Sequence, residues 1–223
     1  MLRTLEKFPI NETKGFISST EGYLETLIDF PKGEIQQGVT AIICHPHPLM
    51  GGTMMNKVVV TTAKALREIG VKTVCFNFRG VGESSGTYGQ GLGEADDLRT
   101  MVNWVQRHCP NDILWLGGFS FGAYISIRMA KELPISLLLS LAPPVHYPEF
   151  EKLSSPTCPW VLVQGGQDDV VDANQVFAWA AEQSNQPTII DMPEAGHFFH
   201  GRLIQLREEL KNTLNPFLQG FTV

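Results

Sequence analysis

The chain has 223 residues and a mass of 24.7 kDa, with 43% hydrophobic and 18% charged residues, a composition that supports a full buried core and excludes intrinsic disorder. Its net charge of −6 and pI near 5.5 leave no basic excess to hold a phosphate backbone, so nucleic acid is excluded as a partner. The first residues, "MLRTLEKFPINETKGF", hold neither a secretory apolar core nor a membrane-spanning run, and the expectation is a cytoplasmic protein without a membrane partner.

In chain order, "KGFISST" and "GYLETLIDFPKG" predict two strands joined by a turn, an antiparallel edge with no helix between them. "TAIICHP" predicts the next strand, and Met55, Val58, Val59, Thr62, Leu66 and Ile69 then recur at three- and four-residue steps, as a helix requires. Strand "KTVCFNF", a helix near 91 to 108, strand "DILWLGG", a helix from 121 to 132 and strand "ISLLLSLA" follow. Strand "WVLVQ", a helix near 173 to 184, strand "PTIIDM" and a last helix bearing Leu203, Leu206, Leu210 and Leu214 complete the series.

Repeated βα units with apolar strands predict an α/β fold, a mostly parallel sheet with helices on both faces. No repeat, low-complexity tract or long linker divides the chain, so residues 1–223 are read as a single domain. The connection between "ISLLLSLA" and "WVLVQ" is too short for a cap domain.

Ligands of open α/β sheets bind beyond the carboxyl ends of the strands, which directs attention to the loops there. In "LWLGGFSFGAYISI" the pentapeptide Gly118-Phe119-Ser120-Phe121-Gly122 lies between a strand and a helix. The string alone carries little weight, but a serine on a strand-to-helix turn with small neighbours is the setting of a nucleophile elbow. The bland alternative is a serine that caps the helix.

A serine hydroxyl needs a base, and the base needs a carboxylate to orient it. The chain order serine, acid, histidine selects among six histidines His197 and His200, in "MPEAGHFFHGRL", and of these His197, which follows the small pair Ala195-Gly196. The acid belongs after "WVLVQ", where "GGQDDVVDANQ" offers Asp168, Asp169 and Asp172. Asp172, with Gln175 three residues on, reads as a helix cap, and general physics leaves Asp168 and Asp169 open.

An oxyanion hole requires two backbone N–H groups. One belongs to Phe121 and the other to the loop "HPHPLMGGT", where Pro46 and Pro48 leave His47 and Leu49 as the nearest donors. His45 and His47 lack a third ligand at a recognisable spacing, and Cys44, Cys75, Cys109 and Cys158 form no CxxC pair, so no metal and no cofactor are expected.

The elbow, "VCFNFRGVGESSG", "VLVQGGQDDVV" and "EAGHFF" together resemble the α/β-hydrolase superfamily from about residue 38 to about residue 215. "HPHPLMGGTMMNKVV" is similar to the corresponding loop of small, lidless bacterial hydrolases related to dienelactone hydrolases and carboxylesterases. The resemblance implies an α/β-hydrolase fold without a cap, Asp168 as the acid through Gly165-Gly166-Gln167-Asp168, and His47 as the second oxyanion donor, although His-Pro stands where relatives have His-Gly. Dienelactone hydrolases carry a cysteine nucleophile and this elbow a serine, so their particular chemistry is not implied. Arg79, Glu83 and Ser84 fall in a turn that is structural in relatives.

The expected function is a serine hydrolase that cleaves an ester or related acyl bond of a small-molecule substrate through Ser120, Asp168 and His197. A thioesterase, peptidase or acyltransferase would use the same groups, and a binding protein on this fold would use none of them. Nothing in the sequence specifies an oligomeric state.

Overall fold

The structure is a computed structural model that describes residues 3–32 and 38–219. Among the described residues eight strands form one sheet: β1 (Thr13–Ser19), β2 (Gly22–Asp29), β3 (Val39–Cys44), β4 (Lys72–Phe76), β5 (Ile113–Phe119), β6 (Leu137–Leu141), β7 (Trp160–Gly165) and β8 (Thr188–Met192). Their order across the sheet is β1-β2-β4-β3-β5-β6-β7-β8. β1 pairs with β2 and β2 with β4 antiparallel, and the remaining pairs are parallel. The predicted antiparallel edge is present; the last residue of its second segment, Gly33, lies outside the described residues.

The helices are α1 (Lys57–Glu68), α2 (Leu92–His108), α3 (Phe121–Met129), α4 (Ala173–Ala181) and α5 (Leu203–Gln219). Alternate residues of a strand face opposite sides of the sheet, so a strand buried on both sides is apolar throughout. In β3, Ile42 and Cys44 join the core under α2, α3 and α4, while Ala41 and Ile43 join the core under α1 and α5. Leu206, Leu210 and Leu214, one turn apart on α5, are fully buried in that second core.

Three helix ends differ from the sequence pattern, each for a local reason. Met55 lies before α1 and is 60% exposed, because Asn56 caps the helix by accepting from the Val58 N–H at 2.9 Å. α3 stops at Met129 rather than 132, since Pro134 has no N–H to offer the Ala130 carbonyl. α4 stops at Ala181 rather than 184, where Asn185 instead donates to the Pro156 and Cys158 carbonyls.

Between β6 and β7 the chain forms only a short 3₁₀ turn, Pro148–Lys152, and no cap is inserted among the described residues. No helix among them is long and apolar enough to cross a membrane. Cys44, Cys75 and Cys158 are buried and unpaired, and burial pushes the Cys44 and Cys75 thiols up to about 12.

Candidate active site

Ser120 joins β5 to α3 with φ of 54° and ψ of −118°, a strained conformation for a residue with a side chain. The flanking glycines make that turn possible. A Cβ on Gly118 would stand 2.2 Å from the Gly122 carbonyl oxygen, and one on Gly122 would stand 2.4 Å from that of Cys44. The Ser120 hydroxyl makes no capping bond to α3, and Oγ lies 3.1 Å from His197 Nε2. The serine is 8% exposed.

His197 sits between β8 and α5 in a loop tied to the one after β7. The Ala195 N–H donates to Met192, and the Ala195 carbonyl accepts from Gln167 N–H at 2.9 Å. Gly165 permits that closeness, since a Cβ there would meet the Ala195 oxygen at 2.4 Å. The imidazole is 3% exposed and packs between the rings of Phe119 and Phe198, each with its centroid 5.1 Å away. His200 is exposed and touches only the ring of Phe198 among the described aromatic rings.

His197 Nδ1 lies 2.8 Å from Asp168 Oδ2, which also accepts from Gln164 Nε2 at 3.0 Å. Asp168 Oδ1 accepts from the Val170 and Val171 N–H groups at 2.9 and 2.7 Å. Burial opposes ionisation of Asp168, but the bonds from His197, Val171 and Val170 outweigh it and hold the carboxyl below its ordinary range. A carboxylate facing Nδ1 places the proton there, leaving Nε2 to accept from Ser120. Asp169 points into solvent, and Asp172 caps α4 by accepting from the Asn174 N–H.

The loop after β3 separates the two histidines by role. His45 is fully buried; its Nδ1–H donates to the Pro46 carbonyl at 2.6 Å and its Nε2 accepts from the Phe78 N–H at 3.0 Å. Both ring nitrogens are therefore occupied, and burial, opposed by the bond to Pro46, brings its pKa down to about 4. Among the described residues no group of three or more His, Cys, Asp or Glu side chains is arranged to hold a metal ion.

His47 Nδ1 accepts from the Leu49 N–H at 3.2 Å, and its Nε2 lies 3.3 Å from the Tyr88 hydroxyl. Of the two predicted backbone donors in this loop, Leu49 is thus engaged. The N–H groups of His47 and Phe121 donate to no acceptor among the described residues. Phe121 lies at the start of α3, where the helix dipole favours negative charge.

Sequence reasoning passed over Gln164 and Asn77, which hold these loops. Gln164 carries a polar amide at the end of an otherwise apolar strand, and that contrast was the signal for the group that grips Asp168. Asn77 accepts from the Met54 N–H and donates to the buried Glu25, joining the loop after β3 to the sheet edge. Arg79 forms a buried pair with Asp97 at 2.8 Å, and Ser84 Oγ bridges the Asn77 carbonyl and the Glu25 N–H. Both fit the structural role expected of that turn.

Comparison with known proteins follows the same lines. A family model described as alpha/beta hydrolase fold matches residues 47–145. An a/b serine hydrolase without lid from Xanthomonas campestris is 41% identical, with a TM-score of 0.91 over 96% of this chain and 98% of that one. An alpha-beta serine hydrolase homologue from Coxiella burnetii is 50% identical, with a TM-score of 0.90 over 93% of this chain and 100% of its own. An uncharacterized protein of Rickettsia prowazekii is 33% identical over 213 residues, 91% of this chain and 87% of that protein.

Proposed function

Since the chain belongs to the α/β-hydrolase family, we propose that it is a cytoplasmic serine hydrolase that cleaves a carboxylic ester or related acyl bond of a small molecule. The observation that carries this reading is the unbroken line from Ser120 Oγ through the His197 imidazole to Asp168 Oδ2, with spacings of 3.1 and 2.8 Å. A binding protein would have no use for a strained serine aligned on a buried histidine and carboxylate.

In this mechanism Ser120 Oγ attacks the substrate carbonyl carbon while His197 Nε2 removes the hydroxyl proton. Asp168 keeps Nδ1 protonated and stabilises the imidazolium. The carbonyl oxygen becomes negative and receives the Phe121 and His47 N–H groups, whose positions cost no reorganisation during the reaction. The tetrahedral species collapses as Nε2–H passes its proton to the leaving oxygen, giving the alcohol and an acyl-Ser120 ester. Water repeats the sequence, with His197 again as base, and releases the carboxylic acid. These side chains and water supply every proton movement.

The test is turnover of p-nitrophenyl esters of graded acyl length by wild type and Ser120→Ala, alongside thioesters and peptides. Wild type is expected to hydrolyse short esters, and Ser120→Ala to keep the fold and lose at least roughly a thousandfold. Equal turnover by the two proteins would overturn the reading.

A further inference from the structure

Along β7 the residues on one side, Trp160 and Leu162, belong to the core under α2, α3 and α4, and the next position on that side holds Gln164, fully buried. Its amide is committed to donating. Nε2 lies 3.0 Å from Asp168 Oδ2 and 3.1 Å from the Gly165 carbonyl oxygen, and reversing the group would set Oε1 against both of those acceptors. Oε1 itself meets no donor among the described residues. A buried acceptor without a partner costs stability, and a methionine or leucine would fill the same space without that cost.

We propose that Gln164 is a positioning residue of the hydrolase: acting through Asp168, it fixes from within the sheet the direction of the carboxylate that holds His197 toward Ser120. The proposal rests on the serine-hydrolase reading above. The two oxygens of Asp168 have different tasks. Oδ1 is anchored by the Val170 and Val171 N–H groups of its own loop, at 2.9 and 2.7 Å. Oδ2 faces His197 Nδ1 at 2.8 Å, and its one other partner among the described residues is Gln164.

A carboxylate turns softly about its Cβ–Cγ bond, so anchors on Oδ1 alone leave the tilt of Oδ2 to the imidazole it is meant to direct. Asp168 and His197 both lie on loops, after β7 and β8. Gln164 differs in its support, because β7 is hydrogen-bonded to β6 on one side and to β8 on the other. Charge develops on the imidazole as Nε2 takes the Ser120 proton, and a displacement of about an ångström at that moment is costly. The side chains of Gln164 and Asp168 are fully buried, out of reach of a substrate, so what Gln164 contributes belongs to kcat and not to KM.

The experiment compares Gln164→Met with wild type in three readouts: kcat and KM on p-nitrophenyl acetate, melting temperature, and the low-field Nδ1–H proton resonance of His197, identified by its absence from His197→Ala. Methionine keeps the length of the side chain and removes the donor. His197 serves acylation and deacylation alike, so both steps slow together, and kcat is expected to fall about 10- to 100-fold with KM unchanged. The resonance is expected to shift or broaden as Asp168 gains freedom, and the melting temperature to stay at or above that of wild type, since no acceptor is left orphaned. Wild-type kcat, a change confined to KM, or an unaltered resonance overturns the positioning role and leaves the hydrolase reading standing. A clear drop in melting temperature does the same, by making the amide a structural group. Should Gln164→Met not fold, Gln164→Leu takes its place, and failure of both to fold again overturns the role in favour of a structural one. No turnover by wild type overturns the hydrolase reading and the role together.

Discussion

His197 Nδ1 lies 2.8 Å from Asp168 Oδ2, a carboxylate that also accepts two backbone N–H groups and a glutamine amide, while the next residue, Asp169, is exposed. Two adjacent aspartates therefore differ entirely in surroundings. The difference predicts that Asp168→Asn lowers kcat/KM on p-nitrophenyl acetate by roughly a thousandfold or more, because the amide no longer holds the imidazole in its tautomer. Asp169→Asn is expected to stay within about threefold of wild type. Equal losses in the two variants would contradict the assignment of the acid.

The buried His45 makes stability depend on pH. Its folded-state pKa is depressed to about 4, by burial first and against the bond to Pro46, while the unfolded imidazole titrates near 6.5. The stabilisation from keeping it neutral is complete above about pH 6.5 and is lost as pH falls through about 4, where the unfolded chain has already gained the proton. The loss amounts to about 3 kcal/mol. Urea unfolding from pH 7 to pH 4 checks this: His45→Gln is expected to be less stable at pH 7 but to lose less on acidification. A parallel pH dependence in both proteins would refute it.

The elbow glycines give a third expectation. Gly118→Ala and Gly122→Ala each force a methyl group within 2.4 Å of a backbone oxygen, and backbone cannot yield as a flexible side chain would. Each substitution is expected to cost about 1–3 kcal/mol and to displace Ser120 from His197, with ester turnover falling far more than the melting temperature. Turnover at the wild-type level in either variant would mean that the turn tolerates a side chain.

What the sequence revealed and what it concealed divide along local and long-range lines. The βα alternation and the place of Ser120 were legible because apolar periodicity and a strand-turn-helix context are local properties. His197 was distinguishable from His200 by the small residues before it, which the structure uses to bring the loop against Gly165. The choice between Asp168 and Asp169 was not legible from physics, since it depends on which carboxylate the turn at Val170 and Val171 folds over. The same holds for the contact of Tyr88 with His47, for Glu25 with Asn77 and for Arg79 with Asp97, pairs that meet only when separate loops converge. The helix ends at Asn56 and Asn185 likewise depended on side-chain bonds that compete with hydrophobic period.

The most direct test of the central claim is whether Ser120 is an activated nucleophile, which stoichiometric labelling with a fluorophosphonate followed by peptide mass spectrometry reads without any knowledge of the substrate. One phosphonyl group per chain on Ser120, with labelling nearly abolished in His197→Ala, is the predicted result. An unlabelled wild-type protein, or an adduct carried by another residue, would contradict the account.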